Sequence, residues 1–147
     1  MQHKKFEQLI IVHNSNSTRA NLADEKVFDP LERAGVPFEI YETTSADTEE
    51  NIAHMQASIP HGTRVIDAAG DGTGMQLINA ALRGDKNWTL GYMPLGNFND
   101  HANVHVDRGQ TILDLADESA PHVERRPLTI EVDGEYWRHA PAYMTIG

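Results

Sequence analysis

Val65-Ile66-Asp67-Ala68-Ala69-Gly70-Asp71-Gly72-Thr73 carries an apolar run straight into Gly-Asp-Gly-Thr. Met75-Gln76-Leu77-Ile78-Asn79-Ala80-Ala81-Leu82 follows at once. The first part reads as a buried strand and the last as a helix. Two glycines strip the intervening turn of side chains, so backbone N–H groups can approach an anion where a helix starts and its dipole favours negative charge. Asp71 is out of place in a bare phosphate cradle, because its charge repels the anion. It fits if a divalent cation lies between them, or if it takes a proton from an attacking hydroxyl. Taken alone, the segment also reads as a tight strand-to-helix turn with Thr73 as N-cap.

Two further segments share the pattern. Leu9-Ile10-Ile11-Val12-His13-Asn14-Ser15-Asn16-Ser17-Thr18 is an apolar strand ending in small polar residues. Leu90-Gly91-Tyr92-Met93-Pro94-Leu95-Gly96-Asn97-Phe98-Asn99-Asp100 is a third strand running into a polar loop. In a parallel sheet all three ends lie along one edge, where ligands of open α/β sheets bind.

With these three loops the chain resembles the catalytic domain of the diacylglycerol kinase and sphingosine kinase group, itself related to the NAD kinases. That group carries Asn-Pro-x-Ser-Gly, Gly-Gly-Asp-Gly-Thr and Pro-Leu-Gly-Thr-x-Asn-Asp-Phe loops. They stand here as Asn14-Ser15-Asn16-Ser17-Thr18, Ala69-Gly70-Asp71-Gly72-Thr73 and Pro94-Leu95-Gly96-Asn97-Phe98-Asn99-Asp100-His101. The third loop favours the lipid kinases over the NAD kinases. Ser15 replaces the first-loop proline and Ala69 the first glycine of the second loop, while Gln76 and Asn97 stand for the usual glutamate and threonine. Alanine is tolerated at position 69 only if the backbone φ there is negative.

The resemblance implies ATP-dependent phosphoryl transfer to a lipid hydroxyl. Amides around Gly70, Gly72 and Gly96 hold the phosphates, and Asn14, Ser17, Thr43, Thr73 and Asn97 bond the nucleotide. Asp71 bridges to Mg²⁺, with Asp100 beside it as a second catalytic carboxylate; Arg19 adds a positive charge. The implied partners are a nucleotide and a lipid with a free hydroxyl, met by transient contact with a membrane surface. A homodimer is left open. The alternatives are a nucleotide-binding module without turnover and an NAD kinase-like enzyme.

The chain has 147 residues, 39% of them hydrophobic, enough for one folded unit with a real core. A formal net charge of −10 argues against a nucleic-acid partner, which needs a basic face. Absence of cysteine excludes disulfides and thiolate metal sites. Met1-Gln2-His3-Lys4-Lys5-Phe6 lacks the apolar core of a signal peptide, and no run approaches a membrane span, so the expectation is a cytoplasmic protein, peripheral at most.

Strands are expected at Gln8 to His13, Pro37 to Thr43 and Trp88 to Met93, besides the one ahead of Gly70. Helices are expected at Ala20 to Ala34, split or kinked at Pro30 with Gly35 as C′, and from an Asp47 or Ser45 cap through Ala57. A further helix is expected at Gly109 to Asp117. The alternation predicts an α/β fold: a mostly parallel sheet with helices on both faces, like the first domain of the resembled kinases.

Leu128 to Trp137 reads as a hairpin with an Asp133-Gly134 turn. Tyr136, Trp137 and Tyr143 are expected to pack as core. Ala142 to Gly147 opens another strand. Residues 1–125 are thus expected to form the nucleotide-binding domain, and 126–147 the opening strands of a truncated, β-rich second domain. His101 and His105 have a spacing that admits two metal ligands, with solvated histidines as the plainer reading.

Overall fold

A computed structural model describes residues 2–3, 8–17, 20–43, 47–93, 95, 111–117, 121–122 and 128–140. The expected strands at 142–147 and the histidines at 101 and 105 lie outside these residues.

The described elements run β1 (Gln2–His3), β2 (Gln8–His13), a π-helical turn (Asp24–Phe28) continuing into α1 (Asp29–Arg33), β3 (Glu39–Glu42), α2 (Thr48–Ser58), β4 (Thr63–Asp67), α3 (Asp71–Arg83) and β5 (Thr89–Tyr92). After them come α4 (Ile112–Ala116), β6 (Pro121–His122), β7 (Leu128–Val132) and β8 (Glu135–Ala140). Four strands form a parallel sheet in the order β3-β2-β4-β5. β1 pairs antiparallel with β6, and β7 with β8.

Strand alternation sorts β2 between two cores. Leu9 and Ile11 pack with Val27, Phe28, Leu31, Ile112 and Leu115 on one face. Ile10 and Val12 pack with Ile52, Met55, Ile59, Leu77 and Ala80 on the other. Side chains that point alternately up and down a pleated strand account for this division. Helices therefore cover both faces of a mostly parallel sheet, in agreement with the sequence reading.

Helix punctuation follows local chemistry. Pro30 falls in the first turn of α1, and the chain enters α1 from the π-helical turn without leaving helical dihedrals, so the expected split takes the form of a change in helix type. Gly35 closes that helix at φ 68°, with Val36 N–H bonded to Leu31 C=O and Gly35 N–H to Glu32 C=O. Asp47 caps α2 by accepting the Glu50 N–H at 2.9 Å. At the end of α3 the left-handed position falls to Asp85 (φ 48°) rather than to Gly84. A Cβ on Gly84 would stand 3.0 Å from the Ala80 carbonyl, so glycine is used there for close approach. The helix expected from Gly109 is described from Ile112, capped by Thr111 and Asp114.

β7 and β8 turn on Asp133 (φ 52°) and Gly134 (φ 80°), both left-handed as a tight hairpin turn demands. The register shifts between Ile130 and Glu131, leaving Trp137 as the extra residue of a bulge. Tyr136 and Trp137 are not core, contrary to expectation: they are 47% and 39% exposed. Arginines cover one side of each ring, Arg83 over Tyr136 at 5.5 Å and Arg138 over Trp137 at 4.8 Å. Tyr143 lies outside the described residues.

The hairpin is fastened to α3 by one fully buried amide. Asn79 Nδ2 donates to the His139 carbonyl and Asn79 Oδ1 accepts the His139 N–H, both at 2.9 Å. Arg83 adds bonds to the Tyr136 hydroxyl and the Trp137 carbonyl, and Glu49 pairs with both Arg83 and Arg138. Asn79 thus offers β8 the donor and acceptor that a neighbouring strand would.

Candidate active site at the carboxyl edge of the sheet

Register decides which loops meet. His13 pairs with Glu42, Val12 with Asp67, and Asp67 with Tyr92, so the four strands end level. Backbone bonds continue the alignment one step past the strands: Thr43 N–H to His13 C=O (3.0 Å), Ala68 N–H to Val12 C=O (2.9 Å) and Met93 N–H to Asp67 C=O (2.8 Å). Asn14 and Ser17, Thr43, and the 69–73 turn therefore leave neighbouring strands at one edge. β5 ends at the same edge, while Gly96, Asn97 and Asp100 in the loop beyond it lie outside the described residues.

The first loop is a closed turn. Asn14 Oδ1 accepts the Asn16 N–H and Asn14 C=O accepts the Ser17 N–H, each at 3.0 Å. This is the local bonding that makes asparagine a turn residue. Next to it, Thr43 follows directly on β3.

The second loop is organised by Asp67, a residue the sequence reading passed over. Its buried carboxylate accepts the Ala69 N–H at 2.8 Å and the Gly70 N–H at 3.3 Å. The signal was present: an acidic residue breaks the apolar run Val65-Ile66 two positions before the turn. Gly70, the helix cap, sits at φ 140°, ψ −177°, a conformation essentially restricted to glycine. Ala69 is not at positive φ, so the alanine that departs from the usual glycine carries no backbone penalty.

α3 starts at Asp71, which makes Thr73 a first-turn helical residue and not the cap. The first bond of the ladder runs from Gly74 N–H to Gly70 C=O at 3.0 Å. N–H groups 71–73 precede the ladder and have no intrahelical acceptor. Gly72 is exposed and helical, and a Cβ built on it meets no described atom within 4 Å. Among the described residues, neither packing nor backbone geometry requires glycine at that position, and the space beside it at the helix start is open.

Electrostatics at this edge come from acids. Segments 14–17, 43 and 69–73 contain no lysine or arginine. Burial, helped by the charge of Asp67, pushes the Tyr92 hydroxyl above the usual tyrosine range. Among the described residues no group of three His, Cys, Asp or Glu is arranged to hold a metal ion.

With this geometry the chain compares directly with known proteins. It matches the diacylglycerol kinase catalytic domain over residues 8–126. It is also similar to a protein named diacylglycerol kinase from Bacillus subtilis (strain 168), 31% identical over 130 residues. That alignment covers 86% of this chain and 42% of the relative's length. The chain belongs to the diacylglycerol kinase catalytic domain family. No described helix is long and apolar enough to cross a membrane.

Proposed function

We propose that the carboxyl edge of the sheet binds the phosphates of ATP for transfer to a lipid hydroxyl. The observation that carries this reading is the open space over Gly72, where amides 71–73 meet loops 14–17 and 43 at one edge. Bare amides at a helix start hold anions without side chains, and family membership supplies the phosphotransferase chemistry.

In this reading the turn around Gly70 and Gly72 seats the phosphates, with Gly96 and Asn97 closing from the third loop. Asn14, Ser17, Thr43 and Thr73 hydrogen-bond the nucleotide. Asp71 and Asp100 divide two tasks, one holding Mg²⁺ through carboxylate oxygen and the other orienting the acceptor hydroxyl. Magnesium, when bound, offsets the negative charge of the transferred group, which matters where segments 14–17, 43 and 69–73 supply no lysine or arginine. Arg19 adds positive charge from the first loop. Catalysis then rests on positioning and electrostatics. A lipid acceptor brings a cytoplasmic protein transiently to the membrane surface. Residues 126–147 belong, on the same reading, to the opening of a second, β-rich domain after a nucleotide-binding domain of residues 1–125.

A second reading keeps nucleotide binding and drops turnover. It is favoured by Gln76, where the family usually has glutamate and where the side-chain Oε1 is buried without a hydrogen-bond partner among the described residues. Calorimetric titration with ATP and ADP, with and without Mg²⁺, tests what both readings share. Binding that weakens in Asp71→Ala is expected; no heat from either nucleotide at millimolar concentration rejects both. ADP release in the presence of diacylglycerol vesicles then separates kinase from inert binder.

A further inference from the structure

Glu42, the last residue of β3, has no part in the assignments above, yet its carboxylate grips the first loop. Oε1 lies 2.5 Å from His13 Nδ1, and Oε2 accepts the Ser15 N–H at 3.2 Å. His13 is itself fixed: buried, edge-on to Phe28 at 5.4 Å, with Nε2 3.4 Å from the Ala20 carbonyl. The Asn16 and Ser17 N–H bonds to Asn14 close the turn on itself, and the Ala20 N–H accepted by the Ser17 carbonyl carries the chain onward.

We propose that Glu42 is a positioning residue for the nucleotide, setting the pose of Asn14 to Ser17 against the β4–α3 turn through His13 and the Ser15 amide. This rests on the reading of the carboxyl edge as a nucleotide site. The residue type follows from the geometry. Two donors arrive at two separate atoms, and a carboxylate accepts at both. Aspartate is one methylene too short to reach across from β3. Glutamine can accept from Ser15 and donate to His13 Nδ1, provided the imidazole carries its proton on Nε2, facing the Ala20 carbonyl. Glu42→Gln therefore keeps the clamp and removes its charge, whereas Glu42→Ala removes both.

Two measurements on the full chain test the proposal, after thermal melts show that each variant folds. The first follows the Ser15 amide by NMR in the ligand-free protein. Glu42→Ala should shift its resonance and speed its hydrogen exchange on the order of tenfold, and Glu42→Gln should restore both. The second is ATP titration by calorimetry, in which Glu42→Ala should weaken binding on the order of tenfold and Glu42→Gln should stay near wild type. An unchanged Ser15 amide in Glu42→Ala refutes the clamp without touching the nucleotide reading. Tighter ATP binding in both variants refutes positioning, since the carboxylate then acts as a charge that repels phosphate. If the wild-type chain binds no nucleotide, the reading of the edge fails and the positioning role falls with it, even where the amide result stands.

Discussion

Gly72→Ala separates what the fold needs from what a ligand needs. No described atom lies within 4 Å of the added methyl and the residue is helical, so the substitution meets no steric or backbone cost. It should stabilise the ligand-free protein by about 0.5–1 kcal/mol, because alanine loses less backbone freedom in a helix. At about 2–4 °C per kcal/mol for a domain of this size, the melting temperature rises by roughly 1–4 °C. Phosphates seated on amides 71–73 would collide with that same methyl, and affinity should fall on the order of tenfold. At ATP one hundred times the wild-type dissociation constant, wild type gains about 2.7 kcal/mol and the variant about 1.4 kcal/mol. The order of the melts therefore inverts: the variant melts higher without ATP and lower with it. Scanning fluorimetry over an ATP series reads this directly. A variant that melts no higher alone, or that keeps the full ATP shift, refutes the reasoning.

Three other perturbations have defined outcomes. Asn79→Ala should cost about 2 kcal/mol in urea unfolding, from two lost bonds to His139, and should release β8 amides to exchange; Asn79→Asp should cost more, since one oxygen then faces the His139 carbonyl, and a loss below about 0.5 kcal/mol in both contradicts this. On acidification, Glu49 is held below its ordinary value by its hydrogen bond to Arg83, and His139 by burial and the charge of Arg83. Both contributions are complete above the unfolded values, near 6.5 for histidine and 4.3 for glutamate, and are lost as pH falls through the folded ones. The urea midpoint should decline in two stages between neutral and acid pH, the lower one flattened in Glu49→Gln; a flat profile contradicts this. At the alkaline end, Tyr92 is raised, so its contribution is whole below about pH 10 and drains away above it. Tyr92→Phe should flatten that limb, as followed by tyrosinate absorbance and stability together, and an unaltered limb counts against it.

The parallel sheet and its edge were legible because strand and turn chemistry are local. Leu9 to Val12 is apolar, ends in Asn14, and could hardly be placed elsewhere. Gly70 and the Asp133-Gly134 turn announce backbone conformations that other residues avoid. What escaped the sequence depends on partners distant along the chain. Asp67 is the local exception: its partners are only two and three residues on, yet strand periodicity absorbs it although its carboxylate builds the turn that Gly70 only permits. Glu42 lies 29 positions from His13 and is indistinguishable, by type, from the exposed Glu39. Asn79 looked like an ordinary helical residue, because nothing local says that β8, 60 positions on, will borrow its amide. Tyr136 shares that root, since the guanidinium over its ring comes from Arg83, whereas Trp137 is covered by its own neighbour Arg138. Aromatic residues in a hairpin suggest packing, but the faces available here are guanidinium planes at a surface.

The π-helical turn at Asp24–Phe28 counts one residue more than a regular helix would over the same distance. Phe28 closes that turn, edge-on to His13 and stacked on Phe38 at 5.9 Å. Removing a single residue upstream would make the segment an unbroken helix and swing everything before the cut by about 100° relative to everything after it. Either Ala23 or Leu31 would then have to leave the interior. Chain length between residues 20 and 33 is for that reason as tightly constrained as side-chain identity, and an indel there should propagate to the ring that backs the first loop.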